Sequence, residues 1–226
     1  MFQRIHHHHF VGANPYSSTR YYRHFAYLYC YLGRHRTERR KMKYPYKKLV
    51  VPADIEKLGN GKLKPAMLAS VKCGGKMYTP VAAKFNELYD AALAAGHKLR
   101  NVGDYRSFEA QLGLFKERYR PAEDKDWANK KKGILNDPDR VKRTYEGETW
   151  LLRNGFSPCS TPGKSNHGFG LAIDVGVERA GKLVALASDK KAADWMCEHA
   201  PDFGFYLQSD DPSSREFEIW HWQYAG

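Results

Sequence analysis

The chain is 226 residues long, 42% hydrophobic and 14% aromatic, with a formal net charge of +12. That is enough for one domain with a full core, or a domain plus a tail, and the absence of any run of about 18 apolar residues excludes a membrane-spanning helix. Its four cysteines, Cys30, Cys73, Cys159 and Cys197, stand far apart with no CxxC pair, which excludes a zinc ribbon or a disulfide-built miniprotein and leaves them as free thiols.

The charge is concentrated at the start. Residues 1–48 hold eleven Lys and Arg against the single acid Glu38, and eight of the fifteen tyrosines. Residues 1–44 read as a basic, tyrosine-rich arm without helical or strand period, expected to be disordered, and residues 45–226 as the folded domain. "FAYLYCYLG" (25–33) begins late and lacks a small-x-small site, so no convincing signal peptide is present. The run His6–His9 reads as a chance or tag-like tract rather than a metal site. Interleaved Arg and Tyr also resemble a single-strand nucleic-acid surface, but general attraction to polyanions is the simpler reading and nucleic acid is not the expected partner. Met42 is an alternative start.

Within the domain, "TPVAAKFNELYDAALAAG" predicts a helix with Thr79 as its cap, Pro80 in the first turn, Val81, Phe85, Leu88 and Ala92 on one face, and Gly96 at its end. "KLRNVG" follows as a short strand. Ser107 is placed to cap a second helix with Phe108, Leu112 and Phe115 on one stripe. Residues 116–148, dense in charge and carrying Pro121 and Pro138, predict a long exposed excursion. A third helix lies over "SDKKAADWMCEHA", with Ser188 as cap and Ala192, Trp195, Met196 and His199 inward. Strands are expected at "LAIDVGV" and "EIWHWQY". Helices and then strands predict an α+β fold, with helices packed on a small central antiparallel sheet.

The chemistry-bearing residues fall in the two strand regions. In "SNHGFGLAID" (165–174), strand alternation puts Leu171, Ile173, Val175 and Val177 on a core face and Asp174 on the opposite one. His167 has the other parity, so it can share a site with Asp174 only if the chain bends at Gly168 or Gly170. In "EFEIWHW", Glu218 and His221 show the same conflict, which predicts Glu218 just before regular pairing or at a bulge and His221 within the strand. Taken singly, a histidine beside glycines or a glutamate before an aromatic strand is more often structural. Asp174 is harder to dismiss, because a carboxylate on an apolar strand is costly unless paired or metal-bound. A catalytic zinc takes three protein ligands and keeps an open position for water, whose pKa it lowers from 15.7 to about 7. His167, Asp174 and His221 suit the ligand roles and Glu218 the base. Their donor atoms would then converge on a point about 2.0–2.2 Å from each.

The pattern SxHxxGxAxD followed about 45 residues later by ExWHW resembles the VanY-type D-alanyl-D-alanine carboxypeptidases and the phage L-alanyl-D-glutamate endopeptidases. These zinc peptidases are grouped with lysostaphin-type enzymes and the hedgehog signalling domain. The likeness covers roughly residues 63–226, including "CGGKMYTPVAAKFNELYDAA" and "GDYRSFEAQ". It implies one zinc ion on His167, Asp174 and His221, Glu218 as general base, Arg106 beside the scissile carbonyl as oxyanion stabiliser, and Ser165 and Gln111 against the substrate. The partner it implies is the peptidoglycan stem peptide, acted on at the bacterial cell wall by a monomer, with the basic arm against anionic wall polymers.

Two features depart from the family pattern. Asp104 stands where a small Ser or Thr is usual, and the 119–149 insertion is long and charged. Three readings therefore stay open: a D,D-carboxypeptidase, an L-alanyl-D-glutamate endopeptidase acting as a phage endolysin or virion-associated lysin made in the host cytoplasm, and a non-catalytic zinc-stabilised module that binds cell wall.

Overall fold

The computed structural model describes residues 43–123, 142–153 and 155–226; most of the basic arm, with its histidine tract, Cys30 and Met42, and the centre of the charged insertion lie outside them. In chain order the elements are α1 (Ala53–Glu56), β1 (Leu68–Ser70), β2 (Lys76–Tyr78), α2 (Thr79–Ala94), β3 (Leu99–Gly103), α3 (Phe108–Arg118), β4 (Tyr119–Pro121), β5 (Lys142–Tyr145) and β6 (Glu148–Leu152). They continue with β7 (Ala172–Arg179), β8 (Lys182–Ala185), α4 (Lys190–His199), β9 (Phe205–Leu207) and β10 (His221–Tyr224). Short 3-10 turns join several of them.

The β-branched run of β7 makes it the spine. It pairs antiparallel with β3 on one side and with β10 and then β8 on the other, and β9 extends the sheet beyond β10. Leu171, Ile173, Val175 and Val177 are buried on one side of this sheet, with Trp222 of β10 paired to Ile173. α2 covers that face with Val81, Ala82, Phe85, Leu88 and Ala92, and Phe85 meets Phe205 of β9 edge-on at 5.5 Å. The antiparallel sheet with helices packed on it is the expected α+β arrangement, although strands and helices interleave along the chain rather than segregating.

The helix ends refine the expectations. Thr79 is not the cap of α2: Tyr78 occupies that position and no side-chain cap bond forms. Tyr78 is still extended there, its N–H donating to the Gly170 carbonyl at 3.0 Å, so the helix begins as soon as that bond releases the chain. At the other end Gly96 adopts φ +84°. Its N–H reaches Leu93 O and the His97 N–H reaches Ala92 O, the pair of bonds that closes a helix at a left-handed residue. Ser107 does cap α3, accepting from Ala110 N at 3.1 Å. The buried stripe of α3, however, is Gln111, Phe115 and Arg118, with Phe108 and Leu112 only half-buried. For α4 the cap is Asp189, which accepts from Ala192 N at 3.1 Å. Ser188 instead ends a 3-10 turn. Ala192 and Met196 are inward as expected, whereas Trp195 and His199 are half-buried, their rings tilted against each other at 4.8 Å.

The charged insertion is not simply an exposed excursion. Its described parts, β4, β5 and β6, form a separate three-stranded antiparallel sheet. Its apolar alternation was masked by charge, but Tyr119, Trp150 and Leu152 close a second small core on Phe115 of α3, with Phe115 stacked on Tyr119 at 4.8 Å. Cys73, Cys159 and Cys197 are free. Burial pushes the Cys73 and Cys197 thiols up to about 12, the direction that disfavours the reactive thiolate. Among the described residues no helix is long and apolar enough to cross a membrane.

Phe85, fully buried between α2 and the sheet, sets the main core. Phe85→Ala is expected to cost about 3–5 kcal/mol, measured by urea unfolding; a loss below about 1 kcal/mol would mean that α2 is not held by this contact.

Candidate metal centre

Strand register creates the centre. On the face of the sheet opposite the core, Asp174 of β7 stands directly across from His221, the first residue of β10. The imidazole Nδ1 lies 2.9 Å from Asp174 Oδ1. Glu218 precedes regular pairing, as expected, because residues 218–221 form a turn in which the His221 N–H donates to the Glu218 carbonyl at 2.9 Å.

His167 arrives by the predicted bend. It lies in a 3-10 turn, Asn166–Phe169, that ends at Gly170 with φ +64°. Glycine is required there twice over, by the left-handed backbone and because a Cβ would come within 2.6 Å of Tyr78 N. The imidazole Nε2 then sits 3.4 Å from Asp174 Oδ1. His167, Asp174 and His221 thus bring one donor atom each to within 4.8 Å of one another, and all three residues are buried.

The hydrogen bonding around this trio tests whether it fits a cation. His167 Nδ1 lies 3.0 Å from the Asp104 carbonyl oxygen. A carbonyl only accepts, so Nδ1 carries a proton and Nε2 is the ring atom turned toward the carboxylate oxygen. At 3.4 Å these two atoms need positive charge between them, a proton on Nε2 or a cation, and tetrahedral ligation at Zn–N and Zn–O distances of about 2.0–2.2 Å places donors roughly 3.4 Å apart. Nδ1–H against a carbonyl is also the outer support that metal-bound histidines usually have. The residues fit a divalent ion.

Burial alone would raise the pKa of the Asp174 carboxyl. The His167 charge and the hydrogen bonds from both histidines outweigh it and hold the group well below the usual carboxylate range. For His221, burial alone would lower the pKa; Asp174 and then Glu218 outweigh it, with Arg106 opposing, and the pKa rises. Glu218 and Arg106 are therefore both within electrostatic reach of the centre, and Glu218 lies outside the trio of donors.

The segment after β3 holds the remaining candidates. The Arg106 N–H donates to the His167 carbonyl at 3.1 Å, and its guanidinium Nη1 donates to Gln111 Oε1 at 2.8 Å. Gln111 is 2% exposed and donates from Nε2 to the Ser160 carbonyl at 2.6 Å, so both ends of its amide are engaged within the protein. Ser165 is buried, and its carbonyl accepts from Asn60 Nδ2 at 2.7 Å.

Two further contributors have structural roles that the sequence does not reveal. Asp104, the departure from the family pattern, accepts from the Lys76 N–H at 2.6 Å and so ties the β3–α3 segment to β2. Gly103 lies where β3 slips register against β7, and a Cβ there would come within 2.8 Å of Asp174 Oδ2. Neither role leaves a periodic trace, since each depends on which strand lies alongside.

Gly103→Ala would displace the Asp174 carboxylate. It is expected to weaken zinc affinity roughly 10–100-fold, read by competition with a chromophoric chelator, with the far-UV spectrum unchanged; wild-type affinity would separate Gly103 from the centre. Solved structures similar to this chain include VanYB in complex with D-alanine-D-alanine, at 25% identity over 70% of this chain and 77% of that one, with a TM-score of 0.47. A vancomycin-resistance D,D-pentapeptidase VanY variant in complex with Zn(II) is 20% identical over 82% and 88%, at 0.46. The L,D-carboxypeptidase DacB of a Streptococcus is 26% identical over 66% and 67%, at 0.42. No protein of curated function matches. The family model described as VanY, D-alanyl-D-alanine carboxypeptidase, matches residues 75–226 and takes in every residue of the centre, and on that match, over more than half of its length, the chain belongs to the VanY family.

Proposed function

We propose that this chain is a zinc-dependent peptidase that cleaves an amide bond of bacterial peptidoglycan stem peptides, in the manner of a D-alanyl-D-alanine carboxypeptidase. The observation that carries this reading is the buried trio of His167, Asp174 and His221, with the His167 tautomer fixed by the Asp104 carbonyl. Family membership supports it. In this reading the three residues hold one zinc ion. When bound, the ion supplies Lewis acidity, polarising a scissile carbonyl and acidifying water at its open position.

The chain's own residues supply the rest. Glu218, at the mouth of the centre and outside the ligand set, takes the proton from the attacking water and returns it to the leaving amine. Its exposure suits that role, because a base that shuttles protons must reach both water and leaving group. Arg106 neutralises charge developing on the carbonyl oxygen. Gln111 aims that guanidinium by accepting its Nη1–H, and the resemblance would set Ser165 and Gln111 against the substrate. The +10 balance of residues 1–48 would concentrate the enzyme at a wall rich in anionic polymers.

The test is mass spectrometry of pentapeptide muropeptides incubated with zinc-loaded protein. Loss of a single terminal alanine is expected. Glu218→Ala should lower kcat by about 10²–10⁴-fold with zinc still bound, and Arg106→Ala by about 10²–10³-fold. Release of a peptide lacking its first L-alanine would assign an L-alanyl-D-glutamate endopeptidase instead, and intact muropeptides with zinc bound would assign a wall-binding module.

A further inference from the structure

Residues 43–48 precede the family match, which begins at residue 75, yet they are built into the sheet that carries the centre. The Leu207 N–H of β9 donates to the Pro45 carbonyl at 2.8 Å, and Tyr46 forms a parallel bridge with Leu207. Lys47 Nζ lies 5.4 Å over the Tyr206 ring. The segment is thus a strap along the outer edge of β9, and it makes one contact toward each half of the site.

The first contact is Tyr44, whose ring meets Phe217 edge-on at 4.7 Å and 74°. Phe217 immediately precedes Glu218. The turn that bears Glu218 is fixed on its far side by Ile219, which is 2% exposed, and by the His221 N–H to the Glu218 carbonyl. Tyr44 therefore supports the near side of a turn whose far side is anchored in the core. The second contact is the Lys47 carbonyl, which accepts from Gln223 Nε2 at 2.9 Å. Gln223 is 2% exposed and lies two residues after His221, hence on the same face of β10. Its Oε1 accepts from Asn166 Nδ2 at 2.9 Å, and Asn166 opens the turn that delivers His167. A chain of contacts runs from the strap through a buried amide to the His167 turn.

We infer that residues 43–48 are a positioning strap, in which Tyr44 sets the position of Glu218 through Phe217 and Lys47 steadies the His167 turn through Gln223 and Asn166. Tyr44 is a positioning residue and touches no reacting atom. The strap rests on the peptidase reading only for its effect on rate; its effect on the Glu218 turn is independent of it.

The experiment uses the full zinc-loaded chain and its Tyr44→Ala and Tyr44→Phe variants, with kcat and KM on a pentapeptide muropeptide and amide hydrogen exchange over residues 209–221 and over α2. Tyr44→Ala is expected to lower kcat about tenfold with KM changed less than about twofold, the signature of a misplaced group rather than of lost binding. Exchange over 214–221 should rise about fivefold with α2 unchanged, and Tyr44→Phe, which keeps the ring, should restore both. Wild-type kcat and exchange in Tyr44→Ala would overturn the strap, as would an exchange increase shared equally by α2, which marks a general loss of stability. If the wild-type chain cleaves no muropeptide while Tyr44→Ala still speeds exchange over 214–221 alone, the peptidase reading falls and the strap stands.

Discussion

A carboxylate on the buried spine of the sheet is the constraint around which the structure is arranged. Asp174 stands between Ile173 and Val175 and is 6% exposed; left without partners, such a charge would cost several kcal/mol. The fold answers by register. His221 stands opposite on β10, Gly103 makes room on β3, and His167 approaches from the turn before β7. That register is itself locked from the other face, where Trp222 is fully buried against Ile173. A one-residue slip would expose Trp222 and drive His221 into the core. The apolar core thus positions the polar centre, because the two sets of residues alternate along the same two strands.

The segment from Gly103 to Ser107 links the parts that the sheet alone would leave independent. In five residues it clears space for Asp174, offers its Asp104 carbonyl to His167 Nδ1, ties the Asp104 carboxylate to β2, places the Arg106 N–H on the His167 carbonyl and caps α3. α3 carries this rigidity outward. Gln111 joins Arg106 to the Ser160 carbonyl, and Arg118 donates to the Ser157 and Pro158 carbonyls. The small β4–β6–β5 sheet is therefore continuous, through α3 and residues 157–160, with the Arg106 guanidinium. A change in that sheet can reach Arg106 without touching the three donors.

What could be read from the sequence follows from the range of the interactions involved. The parity of β7, the bend at Gly168–Gly170 and the position of Glu218 ahead of β10 are local consequences of strand alternation and glycine freedom, and all three appear in the structure. The meeting of His167, Asp174 and His221 spans 54 residues of chain; only the joint motif and its family resemblance pointed to it. The caps at Thr79 and Ser188 were misplaced by one residue because neighbouring tertiary bonds, Tyr78 to Gly170 and Asp189 to Arg179, decide where each helix starts. Gln111 reads as a surface helix residue because nothing local reveals that the 157–160 segment folds over it. The second sheet was hidden because its strands carry charge on one face, and its aromatic face finds a partner only through α3.

Charge balance gives the centre its direction. Apart from the two imidazoles, Asp174, Glu218 and Arg106 carry one net negative charge, and a divalent ion would turn that into one net positive charge. A field of that sign attracts anionic groups and disfavours cationic ones. Glu218 is exposed and lies outside the trio of donors. Arg106 sits on the opposite side of that balance, lowering the pKa of His221 where Glu218 raises it. The two groups need fixed positions more than they need strength, because Coulomb energies at these separations change steeply with distance in a partly dry cleft. Gln111 fixes one from the α3 side, and the edge of β9, through Tyr44 and Phe217, is placed to fix the other.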